Sequence, residues 1–399
     1  RTYAQKLQVN RLRAHVDQRA RLGWYKMTRG QKILLVEPHV AEAIYNDFVA
    51  HQERKEYGKL VTQLMTKYNV SSEHLSGLAL MTYSIPDLSD AAKRAMLPPS
   101  PHKANAALLL QGCADIGDPL AVKHILAAVY LSTHTAAAAP GARDLALRFP
   151  RPALAAYRTV LATLQLGGTP DPEALTLHGQ FLERENRLAS ARAAYEKALQ
   201  VPWVYAYSAQ ARHPAQLPVM APWNALGYLL RGVARDAAAR EQARRAFELG
   251  AAKGDDPLSY YELSLFCEPG TVDWLRCVTK AAASGHRDAM LQVALFHRRL
   301  SESAAPRPGA PAAALRSALG WLLGWREGSA ARLAVEWFEA AGNAGHKAAL
   351  LHLAEWHEAT GRTEEARQVL DRIVEPSESG TEEEFPAVVH KAKGKLVGL

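Results

Sequence analysis

The sequence predicts an all-α fold: an α-solenoid of antiparallel helix pairs, preceded by a basic helical extension. Three observations predict it. Apolar residues recur at spacings of three and four along most of the 399 residues. Sustained period-two runs and Asn-Gly hairpin turns are absent from the sequence. Beyond residue 170, short motifs repeat in a helix–turn–helix arrangement. Alanine is abundant throughout, which favours helix and permits close helix approach.

The elements follow in order. Residues 5–25 form a basic helix whose apolar stripe is Val9, Leu12, Val16 and Ala20, ending near Trp24. Pro38 opens a second helix, where its missing N–H costs nothing; Val40, Ile44 and Phe48 mark its buried face. A third carries Leu60, Leu64 and Tyr68. Pro98, Pro99 and Pro101 mark a boundary. The expected divisions are therefore 1–95, a basic arm with helices; 96–145, a first repeat-like unit and an Ala/Pro loop; 146–375, the repeat array; and 376–399, a polar tail. Two low-complexity breaks, Thr135–Arg143 and Ser301–Pro311, read as surface loops.

Charge is concentrated at one end. Residues 1–32 hold nine basic side chains and one acid, Asp17, which accounts for the whole net charge of +8. The remaining residues balance, so the body gives no sign of coating nucleic acid. Within the arm, Arg11, Arg13, Arg19, Arg21, Trp24, Lys26 and Arg29 form a candidate partner-binding element. Such a cluster grips RNA phosphates, anionic lipid or an acidic protein. A solvated charged helix and a targeting remnant are the other readings. A second basic stretch, Lys391, Lys393 and Lys395, closes the chain.

Arg1-Thr2-Tyr3-Ala4 resembles a matrix-peptidase cleavage site, with an upstream segment removed. That resemblance places the chain in the mitochondrial matrix or on the matrix face of the inner membrane, with the cytoplasm as the alternative. No run of 18 apolar residues occurs that would span a bilayer. Cys113, Cys267 and Cys277 are too few for a disulfide framework and read as small buried apolar residues.

The repeats are the most informative feature. In Leu175–Pro202, Gly179 lies on a first helix, Asn186-Arg187 form a turn, and Ala191, Tyr195 and Ala198 share a face of a second. Gly179 and Ala191 are small where the helices cross, and Tyr195 fills the groove to the next unit. This stretch resembles the tetratricopeptide repeat. Leu350, Leu353, Ala354 and His357, then Gly361-Arg362, then Ala366 and Leu370 repeat the pattern. A second echo aligns Gly254-Asp255, Gly285-His286 and Gly345-His346, with six residues separating each glycine from Phe247, Val278 or Phe338. A fainter copy links Gly117-Asp118-Pro119-Leu120 with Asp255-Asp256-Pro257-Leu258. These motifs are similar to the Sel-like repeat family, a relative of the tetratricopeptide group. The glycine ends one helix in a left-handed conformation and the next helix folds back. The resemblance covers residues 105–375. It implies a platform for protein–protein contact within a multisubunit complex, with no chemistry of its own.

Catalytic, cofactor-binding and metal-binding residues are not expected, nor is a small-molecule substrate. There is no phosphate loop and no nucleophile elbow. His352 and His357 stand five apart around Glu355, where helical zinc ligands need i, i+4. His286 and His346 both follow a turn glycine, and that recurrence points to a structural role. Most tryptophans, including Trp274, Trp321, Trp325, Trp337 and Trp356, read as inter-repeat packing. Trp203 and Trp223 flank Pro214 and Pro218 and offer an aromatic surface. The function expected is a scaffold or adaptor in the assembly of a mitochondrial complex. The alternative is an organellar ribosome- or RNA-associated protein that contacts RNA through the arm.

Overall fold

A computed structural model describes residues 3–88, 90–134, 140–166, 168–201, 215–233, 237–302, 328–376 and 383–398. Trp203, Pro214, Trp321, Trp325 and most of the two low-complexity breaks lie outside them. Regular structure among the described residues is helical apart from one two-stranded antiparallel ribbon, Gln165–Leu166 with Thr169–Pro170. The chain forms two compact units, Arg1–Ala221 and Pro222–Leu399.

The first unit begins with α1 (Tyr3–Gly30), α2 (Pro38–His51), α3 (Tyr57–Tyr68), α4 (Ser72–Tyr83) and the short α5 (Ala91–Met96). It continues through α6 (His102–Asp115), α7 (Pro119–His134), α8 (Pro140–Ala146), α9 (Arg151–Leu161), α10 (Pro172–Arg184) and α11 (Leu188–Leu199). Local chemistry sets these limits. Pro38 stands in the first turn of α2, and α3 stops at Asn69, whose φ of 51° is left-handed. Ser71 and His74 form a reciprocal capping box at the start of α4. Asp171 caps α10 by accepting from the N–H groups of Glu173 and Ala174. One apolar core runs from Tyr25 to Val219 and includes Leu75, Leu78, Leu109 and Ile125. That core is continuous across Pro98–Pro101, because α4 packs directly on α6. The proline cluster lies inside one compact unit, Arg1–Ala221.

The second unit comprises α12 (Pro222–Val233), α13 (Ala237–Gly254), α14 (Pro257–Ser264), α15 (Val272–Ala283) and α16 (Arg287–Glu302). After these come α17 (Ser329–Asn343), α18 (Lys347–Ala359), α19 (Thr363–Val374) and α20 (Pro386–Gly398). Each helix packs on the next in succession. The stretch expected to be a polar tail contains α20, which packs on α18 and α19 and buries Ala392. Lys391 and Lys395 hold it there through Glu355 (2.8 Å) and Glu358 (2.6 Å).

One turn recurs in both units. Gly117, Asn186, Gly285, Gly345 and Gly361 all have positive φ. After each, the next N–H reaches back five residues to a carbonyl: Asp118 to Cys113 (3.0 Å), Arg187 to Leu182 (2.9 Å), His286 to Ala281 (3.0 Å), His346 to Ala341 (3.0 Å) and Arg362 to His357 (2.9 Å). This is the 6→1 bond of a Schellman motif. At three of these turns the residue after the glycine then caps the next helix. Asp118 Oδ1 accepts from Ala121 N at 2.9 Å. His286 and His346 accept through Nδ1 from Ala289 N (3.3 Å) and Ala349 N (3.4 Å). Imidazole thus takes the role of a capping carboxylate, which accounts for His and Asp alternating at one motif position.

Gly254 departs from the expected turn role. It is helical, and Asp255, at φ 44°, takes the left-handed position one residue later. Asp256 then caps α14 through Ser259 N at 2.7 Å. The echo of Gly117-Asp118 in Asp255-Asp256 is therefore the structural register. Tyr195 is also corrected: its ring lies over Gly179 of the same helix pair, and its hydroxyl donates to Glu183 at 2.9 Å. Ala191 and Ala366 are fully buried.

Gly285→Val and Gly345→Val should each lower stability by about 1–3 kcal/mol, because a β-branched residue is strained at positive φ. A Cβ at either position meets nothing within 4 Å, so the positive φ sets the cost. Denaturant midpoints check this; unchanged midpoints in both variants refute the turn.

Candidate functional site

The basic arm is α1, and the structure divides its side chains sharply. Arg13, Asp17, Arg21 and Tyr25, spaced four apart, form one line along the helix and are all buried. The stripe expected to be buried is not: Val9, Val16 and Ala20 are half-buried and Leu12 is exposed.

Each buried charge has a counterpart. Arg13 pairs with Asp17 at 2.8 Å, and Ser100 donates to the same Asp17 oxygen at 3.1 Å. Arg21 holds Glu42 through two bonds of 2.9 and 2.6 Å and lies 4.2 Å above the Tyr45 ring. This bidentate, stacked geometry is one that lysine cannot reproduce. Thr82 donates to the Leu78 carbonyl at 2.8 Å, so Tyr25 is the donor in its 2.7 Å bond to Thr82. Arg13 and Arg21 are therefore structural, and their expected place in a partner surface is corrected. Trp24 is half-buried against the core, and Arg29 is held by Glu37 at 2.6 Å.

Arg21 Nη1 also meets His102 Nε2 at 3.2 Å. Guanidinium only donates, so Nε2 is the unprotonated nitrogen of a neutral ring. Burial, together with the nearby charges of Arg21 and Arg13, holds His102 down at about 4. A folded pKa below the unfolded value of about 6.5 gives stability that is complete above pH 6.5 and is lost as pH falls toward 4. Burial also lowers His178, His286, His297, His346, His352 and His357. Melting temperature should thus fall between pH 7 and pH 5. His102→Gln keeps an acceptor for Arg21 but cannot titrate, and should flatten about 2 kcal/mol of that slope, or roughly 4–8 °C. Parallel melts of both proteins across pH check this.

Beside this network lies a cavity of about 460 Å³, lined by residues that include Tyr83, Asp87, Ser100, His102 and Lys103. Lys103 sits 5.6 Å from the centre of the Tyr83 ring, whose hydroxyl donates to Asp144 at 2.7 Å.

The outward side of α1 is different. Arg11, Arg19 and Lys26 are exposed, as is Lys32 just beyond the helix, and none has an ion-pair partner among the described residues. Leu7, Leu12 and Met27 are exposed beside them, at 42, 54 and 44%. Of the seven candidate residues, Arg11, Arg19 and Lys26 remain available to a partner.

Two further clusters have no signature in the sequence. Lys123 is buried between Asp171 (2.8 Å) and Glu173 (3.0 Å), with Gln216 donating to Glu173 at 3.0 Å. Cys267 and Cys277 lie near enough to influence each other's titration, and burial raises the pKa of both. His352 contacts Arg298 at 3.3 Å and Glu355 at 3.5 Å, while His357 is buried. Among the described residues no cluster of three or more ligating side chains is placed to hold a metal, and no helix is long and apolar enough to cross a membrane. No family model matches the chain, and no curated protein matches it.

Proposed function

We infer that the chain is a non-enzymatic adaptor of the tetratricopeptide- and Sel-like kind. It binds protein partners within a multisubunit complex and serves the assembly of a mitochondrial complex. The observation that carries this reading is the recurring turn: one Schellman bond pattern at five helix–helix junctions within residues 105–375, three of them followed at once by a capping residue. Stacked helix pairs of that kind bury each other's faces and leave extended surfaces for partners. The mitochondrial part rests on Arg1–Ala4. Small-molecule turnover has no place in it.

The test is purification of the tagged protein from its own cells, with and without nuclease, and mass spectrometry of what co-elutes. Protein partners that survive nuclease support the adaptor. Partners lost with nuclease favour the ribosome- or RNA-associated alternative. A monomer that retains no partner sinks both.

A further inference from the structure

We propose that the outward face of α1 docks the protein on an anionic lipid bilayer as a peripheral contact. The only acid within residues 1–32, Asp17, is buried against Arg13. The outer face therefore presents cations without a compensating carboxylate of its own. Arg11, Arg19 and Lys26 lie along it over about 22 Å, at a rise of about 1.5 Å per residue. None has an ion-pair partner among the described residues. Leu7, Leu12 and Met27 stand exposed among them, each more than two-fifths accessible. Cations interleaved with exposed aliphatic side chains on one helix suit the boundary between headgroups and acyl chains.

The same structure disfavours the other polyanions. Single-stranded RNA is held by aromatic stacking as well as by charge. The aromatic pair of this arm is unavailable: Tyr25 is fully buried and bonded to Thr82, and Trp24 packs against the core. An acidic protein needs a surface of fixed register. Three long side chains, spaced seven to eight residues apart on a convex helix, impose none. Laterally mobile lipid headgroups require none. This proposal stands on α1 alone and does not depend on the adaptor reading.

The experiment is flotation of the full chain with phosphatidylcholine vesicles, with and without phosphatidylserine. The protein should float with the anionic vesicles only. It should release at about 0.5 M salt, where the Debye length falls to a few ångströms. The variant R11E/R19E/K26E should bind anionic vesicles at least about a hundredfold more weakly, since each cation lost near such a surface costs about a factor of five and the added carboxylates repel it. Its melting curve should match the parent, because all three side chains are exposed. Equal binding to both vesicle types, or unchanged binding in the variant, overturns the proposal. So does retention on polyuridylate without retention on anionic vesicles, which assigns the face to RNA.

Discussion

Replacing Lys123 by methionine should destabilise the 1–221 unit by about 3–5 kcal/mol, the usual cost of removing one partner from a buried ion pair. The lysine side chain is 4% exposed, and those of Asp171 and Glu173 are 0% and 9% exposed. Methionine fills much of the same volume, so packing is largely kept and charge is what changes. Two carboxylates would then share a dry site with no cation between them. Asp171 cannot simply turn away, because its other oxygen caps α10 through Glu173 N (2.9 Å) and Ala174 N (3.1 Å). Gln216 softens the loss on the Glu173 side only. Adding Glu173→Gln to Lys123→Met should return part of the stability by removing one of the two uncompensated charges. Hydrogen exchange of the α7 and α10 amides reports this locally. Protection unchanged in the single variant, or lower still in the double, would show that the three groups do not act as one charge cluster.

What is legible in the sequence, and what is hidden, divides by range. Helix positions follow a local period, so α2 with Ile44 and Phe48, and α3 with Leu64, can be read directly. The turn glycines at 285 and 345 are legible because a left-handed site favours one residue type. The turn near Gly254 falls one residue later than the glycine motif indicates, since Asp255 tolerates the left-handed conformation and leaves its glycine neighbour in the helix. The buried face of α1 is hidden for a deeper reason. Arg13, Asp17 and Arg21 look like a solvated stripe until Glu42 and His102 arrive from 21 and 81 residues away. The only local signal is Asp17, a lone acid four residues from an arginine on either side. Lys123 with Glu173, and Cys267 with Cys277, likewise depend on pairings made only by the fold. Polar burial has no periodic signature, because each charge needs a counterpart and not a neighbour.

Trp223→Ala should cost the second unit about 3–5 kcal/mol, through lost apolar contact and the cavity left behind. Trp223 is fully buried at the start of α12, and its indole is seated on two glycines of α13 one turn apart. A Cβ at Gly250 would lie 2.2 Å from Trp223 Cδ1, and one at Gly254 would lie 2.7 Å from Cζ2. The seat is closed from α14: Ser259 donates to Asn224 Oδ1 at 2.7 Å, and Asn224 donates to Asp256 at 2.8 Å. Gly250→Ala should therefore cost about 1–3 kcal/mol by overpacking, even though alanine is the better helix former. The two effects are coupled through one contact. With Trp223 truncated, the Gly250 methyl loses the indole atoms that crowd it, while Ser259 Oγ, also 2.2 Å away, stays. Gly250→Ala should accordingly cost less in the Trp223→Ala background than in the parent, a coupling measurable by a double-mutant cycle. Strict additivity would mean that the glycines are not where the indole rests, and that α12 and α13 are held together by something else.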